Sequence, residues 1–203
     1  MSESLANKAT ALLRRHGMMR SAELRAAGVT PATIQRLVAS GEILRLSRGL
    51  YQLADASIDS QHDLAEAAKR VPKGVVCLTS ALAYHGLTDQ HPRRVWMAIG
   101  LSDWTPAVER PALHIVRMSR NLLSEEVELH AIEGVEVKIF GIARSIVDAF
   151  RFERSVGRNL AIEALREALR GRHVTPGEIA AMAERRGAWP KLRPYLEAMT
   201  ADA

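Results

Sequence analysis

Apolar residues recur at helical spacing through the first forty residues, and a glycine follows each run. Leu5, Ala9, Leu12 and Leu13 set one face over residues 5–15, and Gly17 ends it. Met18-Met19-Arg20 predicts a short connector or strand. Ser21 then opens a second helix, AELRAAG, with Leu24 inward and Gly28 as its stop. The third helix, TPATIQRLVAS, covers 30–40. Thr30 is placed to cap it, Pro31 suits its first turn, and Gly41 can take the left-handed position after it. Ile34, Leu37 and Val38 make its apolar face, so Thr33, Gln35 and Arg36 are expected to point elsewhere. Gly28-Val29-Thr30 joins the second and third helices at helix-turn-helix length. The period then changes from helical to alternating. Leu44 and Leu46 are expected on one side and Arg45 and Ser47 on the other. Ser47-Arg48-Gly49 carries turn chemistry, and Leu50 to Leu53 returns as a second strand. Three helices and a hairpin predict a winged helix-turn-helix over residues 1–55.

Residues 54–60, ADASIDS, are small and polar, and 61–70 reads as a helix broken by Pro72-Lys73-Gly74. A linker and connecting helix are therefore expected over 56–74, and a second domain over 75–203. There the pattern predicts strands at 75–78, 95–99, 113–117, 127–130 and 135–140. Ser80 is expected to cap a short helix ending at Gly86. Helices follow at 143–150, at 159–170 with Leu160, Ala164, Leu165 and Ala168 inward, from Thr175-Pro176 onward, and at 189–199 with breaks at Pro190 and Pro194. The fold class is α+β: an N-terminal winged helix-turn-helix, then an α+β domain with a small sheet and C-terminal helices.

Composition changes this picture in one respect. The net charge is +5, and residues 1–53 carry eight Lys or Arg against three acids, so the whole excess sits in the first quarter. That asymmetry is expected of a nucleic-acid-binding module joined to a neutral partner. No run approaches the length of a membrane span, and the first ten residues do not read as a signal peptide. The single cysteine, Cys77, lies in VVCLT and is expected to be a buried thiol; the expected compartment is the reducing cytosol.

The third helix and the hairpin carry the chemistry. Small polar residues and an arginine on a helix free face can reach base edges in the major groove, and wing arginines can hold phosphates. Elsewhere the chain has no glycine-rich phosphate loop, no HExxH and no GxSxG. His85 and His91 lack a further ligand-spaced partner, so neither a metal nor a cofactor is expected. Glu136 and Lys138 with the upstream Asp103 match the loose pattern of Mg²⁺-dependent nucleases. Strand alternation accounts for Glu136 and Lys138 equally well, as residues solvating one face. Ser145 is expected as a cap or intrahelical partner, and Asp148 as half of a structural ion pair with Arg144 or Arg151. Winged helices also serve as protein-docking modules, and that alternative stays open.

Four segments occur in one order: LRLSRGLYQL (44–53), TSALAYHGL (79–87), KIFGIARSIVDAF (138–150) and ALREALRGRHVTPGEIAAMAERRG (164–187). The ordered set resembles the AbiEi family, the antitoxin and regulatory half of bacterial type IV toxin–antitoxin pairs. The resemblance implies a cytoplasmic, non-enzymatic repressor that binds double-stranded DNA at inverted repeats in its own promoter. It also implies action against a cognate nucleotidyltransferase-type toxin, which need not involve a stable complex. By position it puts DNA contact on Thr30, Thr33, Gln35, Arg36, Arg45, Ser47 and Arg48, and antitoxin action in a region of roughly 75–200. Arg93, Arg94, Arg117 and Arg120 are further basic candidates in that region. A stand-alone regulator without a toxin is the alternative.

Overall fold

Ser4 accepts a hydrogen bond from the Asn7 amide at 3.1 Å and opens α1 (Leu5–His16) in the computed structural model, which describes residues 4–105 and 110–201. The chain packs as two units. The described part of the first comprises 4–72, 110–111 and 130–137; that of the second comprises 73–105, 112–129 and 138–201.

In the first unit, β1 (Met18–Arg20), α2 (Ser21–Ala26), α3 (Pro31–Ala39), β2 (Ile43–Ser47) and β3 (Leu50–Leu53) follow α1. The strands form an antiparallel sheet in the order β1-β3-β2. This is the winged-helix arrangement that the change of period predicts. Leu13, Leu24, Ile34, Leu37 and Ile43 are buried together between helices and sheet. Each such side chain stabilises the unit by roughly 1.5–3 kcal/mol relative to exposure.

The connecting helix expected within 56–74 is α4 (His62–Arg70), and it packs within the first unit. Arg20 Nε donates to the Lys69 carbonyl at 2.7 Å, and Lys69 Nζ lies 2.9 Å from Glu23 Oε1. Burial opposes the ionisation of Glu23. The Arg20 amide and the Lys69 ammonium outweigh it and hold the carboxyl below the ordinary value of 4.5. A lowered folded-state pKa contributes stability above the unfolded pKa and loses it as pH falls through the folded one. Glu23 is exposed enough for solvent to screen much of this. Glu23→Gln is therefore expected to lower the melting temperature slightly at about pH 7 and not at all near pH 3. An equal deficit at both pH values would show that ionisation is not the cause.

The second unit holds most of a mixed five-stranded sheet. Its strands are β4 (Val75–Val76), β5 (Val95–Gly100), β6 (Leu113–Met118), β7 (Val127–Ile132) and β8 (Val135–Phe140), in the order β6-β5-β4-β8-β7. β4 runs antiparallel to β5 and parallel to β8, and β5 is parallel to β6. Glu133 and Gly134 join β7 to β8 with φ of +49° and +75°, the signature of a type I′ turn. The helices are α5 (Leu78–Tyr84), α6 (Arg120–Ser124), α7 (Ile142–Arg151), α8 (Glu153–Val156), α9 (Arg158–Arg170), α10 (Pro176–Arg185) and α11 (Trp189–Thr200). Ile146, Phe150, Leu165, Ile179 and Leu192 meet in the main core of this unit.

Several local expectations change. Ser80 lies inside α5, and its hydroxyl accepts from the Trp96 amide at 2.9 Å, so it ties the helix to β5 rather than capping it. Ser145 does not cap α7: it donates its hydroxyl to the Phe140 carbonyl at 3.0 Å, and Gly141 is the N-cap. α11 is continuous because Pro190 falls in its first turn, where no amide partner is lost, and Pro194 is solvent-exposed. α10 starts as the Thr175-Pro176 pair predicts, with Glu178 closing a capping box.

Asp148 is the polar centre of this unit. Its carboxylate receives Arg186 Nε at 3.0 Å, Arg151 Nη1 at 3.2 Å and Arg144 Nε at 3.3 Å. Arg144 also donates to the Glu125 carbonyl and lies 3.4 Å over the Phe140 ring. Burial pulls the Arg144 pKa down. The buried Cys77 thiol is pushed up, by burial first and then by the Asp148 charge. It is a packing residue, as its apolar neighbours predict.

Candidate nucleic-acid interface

α2 and α3 are joined by a turn in which the Val29 amide donates to the Leu24 carbonyl at 3.0 Å. Val29 is buried and fixes where α3 begins. Thr30 caps α3: its hydroxyl oxygen accepts from the Thr33 amide at 3.2 Å and lies 2.9 Å from the Thr33 hydroxyl. Pro31 occupies the first turn. The helix is thus held at its start by its own side chains and along one side by Ile34 and Leu37.

Two orientations differ from the expected ones. Thr33 is only 7% exposed, while Val38 is 36% exposed. The reason is helical geometry. Thr33 stands one turn before Leu37, at the i, i+4 spacing that puts both on one face, whereas Val38 falls at the margin of the stripe. Thr33 is a cap and core residue, and its burial removes it from the exposed face. That face carries Ala32, Gln35, Arg36 and Ala39, at i, i+3, i+4 and i+7. The two alanines, which sequence reasoning passed over, leave the backbone accessible on either side of Gln35 and Arg36. Their helical spacing was the signal that could have found them.

The wing is short. β2 and β3 pair from Ile43↔Leu53 to Ser47↔Leu50, with a bulge between Arg45 and Ser47. Arg48-Gly49 makes the turn, Gly49 taking φ +74°. The Ser21 amide donates to the Gly49 carbonyl at 2.8 Å, which ties the wing tip to the start of α2. Arg45 and Arg48 are exposed and Ser47 is half-buried. Leu44 is 49% exposed, because its neighbour Ile43 takes the buried face of β2 and alternation then turns Leu44 outward. The structure therefore gathers Gln35, Arg36, Arg45 and Arg48 on exposed positions of one unit. Thr30 is exposed, but its hydroxyl serves the cap. Arg20, part of the N-terminal charge excess, is tied to the Lys69 carbonyl.

Of the candidates of the second unit, Arg93, Arg94 and Arg120 are exposed, whereas Arg117 and Asp103 have structural employment. Arg117 donates through Nη1 to the carbonyls of Gly100, Leu101 and Asp103 at 3.1, 2.8 and 2.9 Å, and through Nη2 to the Thr105 hydroxyl at 2.7 Å. Asp103 Oδ2 accepts from the Gly100 amide at 2.9 Å. Both residues shape the turn that follows β5. Glu136 is exposed and Lys138 half-buried on β8, between the inward Val135, Val137 and Ile139. His85 Nε2 lies 2.8 Å from the Phe140 carbonyl. Among the described residues, no group of three or more His, Cys, Asp or Glu side chains is placed to hold a metal ion. No helix among them is long and apolar enough to cross a membrane.

Residues 7–54 match the family model of the AbiEi antitoxin transcriptional regulators. The matched segment runs from within α1 through β3, that is, over the winged helix of this chain. Among solved structures, the chain is similar to the RV2827C protein from Mycobacterium tuberculosis, with a TM-score of 0.65 and 14% identity over 98% of this chain and 78% of that one. At that identity the likeness is one of fold. No curated protein matches the chain.

Proposed function

We propose that this protein is a DNA-binding repressor of its own operon and the antitoxin against a nucleotidyltransferase-type toxin. The observation that carries the repressor half is the exposed face of α3 with Gln35 and Arg36 at its centre, next to a wing bearing Arg45 and Arg48, in a segment that matches an antitoxin-type regulator. In this reading α3 enters the major groove. Arg36 reads a guanine edge or a phosphate, and Gln35 an adenine edge. Ala32, Val38 and Ala39 allow close approach and apolar contact with thymine methyl groups. Arg45 and Arg48 neutralise phosphates beside the groove, which makes binding steeply salt-dependent. The antitoxin half draws on the family resemblance and belongs to the second unit. The protein acts by binding and not as a nuclease: Asp103 is engaged in its own turn, and alternation explains Glu136 and Lys138.

The test is a gel-shift titration of the full chain on its own upstream DNA against scrambled DNA, at two salt concentrations. Tight, salt-sensitive binding to the upstream DNA is expected, and equal binding to both DNAs would reduce the interface to a basic surface. Arg36→Ala is expected to cost about 1–3 kcal/mol on the cognate site, mostly lost on scrambled DNA. An unchanged curve would remove α3 from the reading surface. Co-expression with the neighbouring toxin gene then tests the antitoxin half. Failure to rescue growth would leave a regulator alone.

A further inference from the structure

The second unit carries a groove of about 680 Å³ that the DNA reading does not use. Arg166, Leu169 and Arg170 line it from α9, Arg172 and Val174 from the α9–α10 link, and Met199 from α11. Leu169, Val174 and Met199 pack against the core of the unit and form an apolar floor. The three arginines are exposed around it.

Their placement runs against local electrostatics. Arg166 and Arg170 are four apart on one helix, where like charges repel. Glu163 stands three residues before Arg166, at a spacing suited to an ion pair. Yet among the described residues Arg166 makes no such pair, and neither does Arg172. Arg170 alone is held, by Glu167 at 2.5 Å. Arg172 adopts φ +51°, in the left-handed region that disfavours every side chain of its size. Gly171 beside it meets a different demand, since a Cβ there would lie 2.4 Å from His173 Nε2. The positive φ belongs to the C-terminal cap of α9, where the Arg172 amide donates to the Leu169 carbonyl at 3.1 Å and the His173 amide to the Ala168 carbonyl at 3.0 Å, and it leaves the exposed Arg172 at the rim of the groove. Thr175 and Pro176 at the start of α10 also border the groove. That helix end is already neutralised by Glu178, which accepts from the Thr175 amide at 2.8 Å and from its hydroxyl at 2.7 Å. An anion in the groove would be recognised by the guanidinium groups.

We infer that this groove binds a small amphipathic organic anion, whose apolar body lies on Leu169, Val174 and Met199 while its charged end meets Arg166 and Arg172. The volume is in the range of sites for such ligands, roughly 300–1,000 Å³. The inference is independent of DNA binding.

Titrating the full chain with anilinonaphthalene sulfonate, an aromatic sulfonate that fluoresces in apolar surroundings, tests it. One saturable site is expected, displaced by octanoate and not by sodium sulfate at the same concentration. Arg166→Ala and Arg172→Gly should each weaken the dye about tenfold, the loss of one charge-assisted contact. Arg193→Ala, an exposed arginine paired with Glu197 on α11, should leave it unchanged. Arg172→Gly also relieves the left-handed strain, so its melting temperature should not fall, which separates lost binding from lost folding. Dye binding that does not saturate, that survives both Arg166→Ala and Arg172→Gly, or that sulfate displaces as well as octanoate does, would overturn the inference.

Discussion

Asp148→Ala is expected to destabilise the protein by about 3–5 kcal/mol, against the roughly 5–15 kcal/mol that holds a typical domain together. The size follows from what would be left behind. Asp148 is 1% exposed and is the carboxylate on which Arg144, Arg151 and Arg186 converge. Arg144 and Arg186 have side chains 0% and 1% exposed, so neither can turn to water when its partner is removed. Glu125 would remain beside Arg186 at 3.0 Å, but it is half exposed and reaches Arg144 only through its backbone carbonyl. Arg186 would then keep one partly solvated acid, and Arg144 would be left buried with no carboxylate partner. The network joins α7, the end of α10 and the approach to β7, so its loss should appear as a lower urea midpoint for the second unit as a whole. Asp148→Asn, which keeps the shape and two acceptor sites of the amide oxygen, should recover part of the deficit. A midpoint for Asp148→Ala within experimental error of the parent would mean that Arg144 and Arg186 find other partners, and that the cluster contributes little.

Gly17→Ala ranks second, at about 2–4 kcal/mol, combining left-handed strain with overpacking. Gly17 has φ +64°, and a Cβ there would lie 1.6 Å from the Glu133 carbonyl oxygen and 2.8 Å from its carbonyl carbon. These are backbone atoms, and the turn that holds them is itself fixed. Gly134 leaves only 3.0 Å between a Cβ of its own and the Gly17 nitrogen. The Glu133 carboxylate accepts from the Asp59 amide at 2.6 Å and lies 2.8 Å from His62 Nδ1. The methyl group has nowhere to go without moving the turn away from the α1–β1 junction. Amide hydrogen exchange should show loss of protection in β1 and in residues 130–137 together. Glu133→Ala provides the contrast, because it removes the two side-chain contacts and leaves the close backbone approach intact. It should be the milder variant. If Gly17→Ala exchanged no faster than the parent, residues 130–137 would not be seated on the first unit in solution.

What could be read from the sequence follows the range over which each signal acts. Thr30, Pro31 and Gly41 delimit α3, Thr175 and Pro176 start α10, and Ser47-Arg48-Gly49 turns the wing, because caps and turns are decided by residues within one or two positions. The winged helix and the α+β class were legible for the same reason, through the switch from a helical to an alternating period. Orientation at the margins of a stripe was less so. Thr33 and Val38 exchange their expected places because the apolar count alone cannot say where the centre of a face lies. Asp148 was legible as one member of an ion pair with Arg144 or Arg151. Arg186 was not, since it arrives from thirty-eight residues away and no local pattern records that approach.

The sequence alone determined the winged-helix scaffold: three helices with their caps, the hairpin, and a charge excess confined to them. These properties come from propensity, period and composition, all carried by neighbouring residues. Only the tertiary structure decided that residues 130–137 belong with the first unit, that Arg117 and Asp103 are occupied in shaping a turn, and that Arg166, Arg172 and Met199 border one groove. Each of these depends on segments meeting after long stretches of intervening chain. That meeting is set by the packing of whole elements, and no window of sequence contains it.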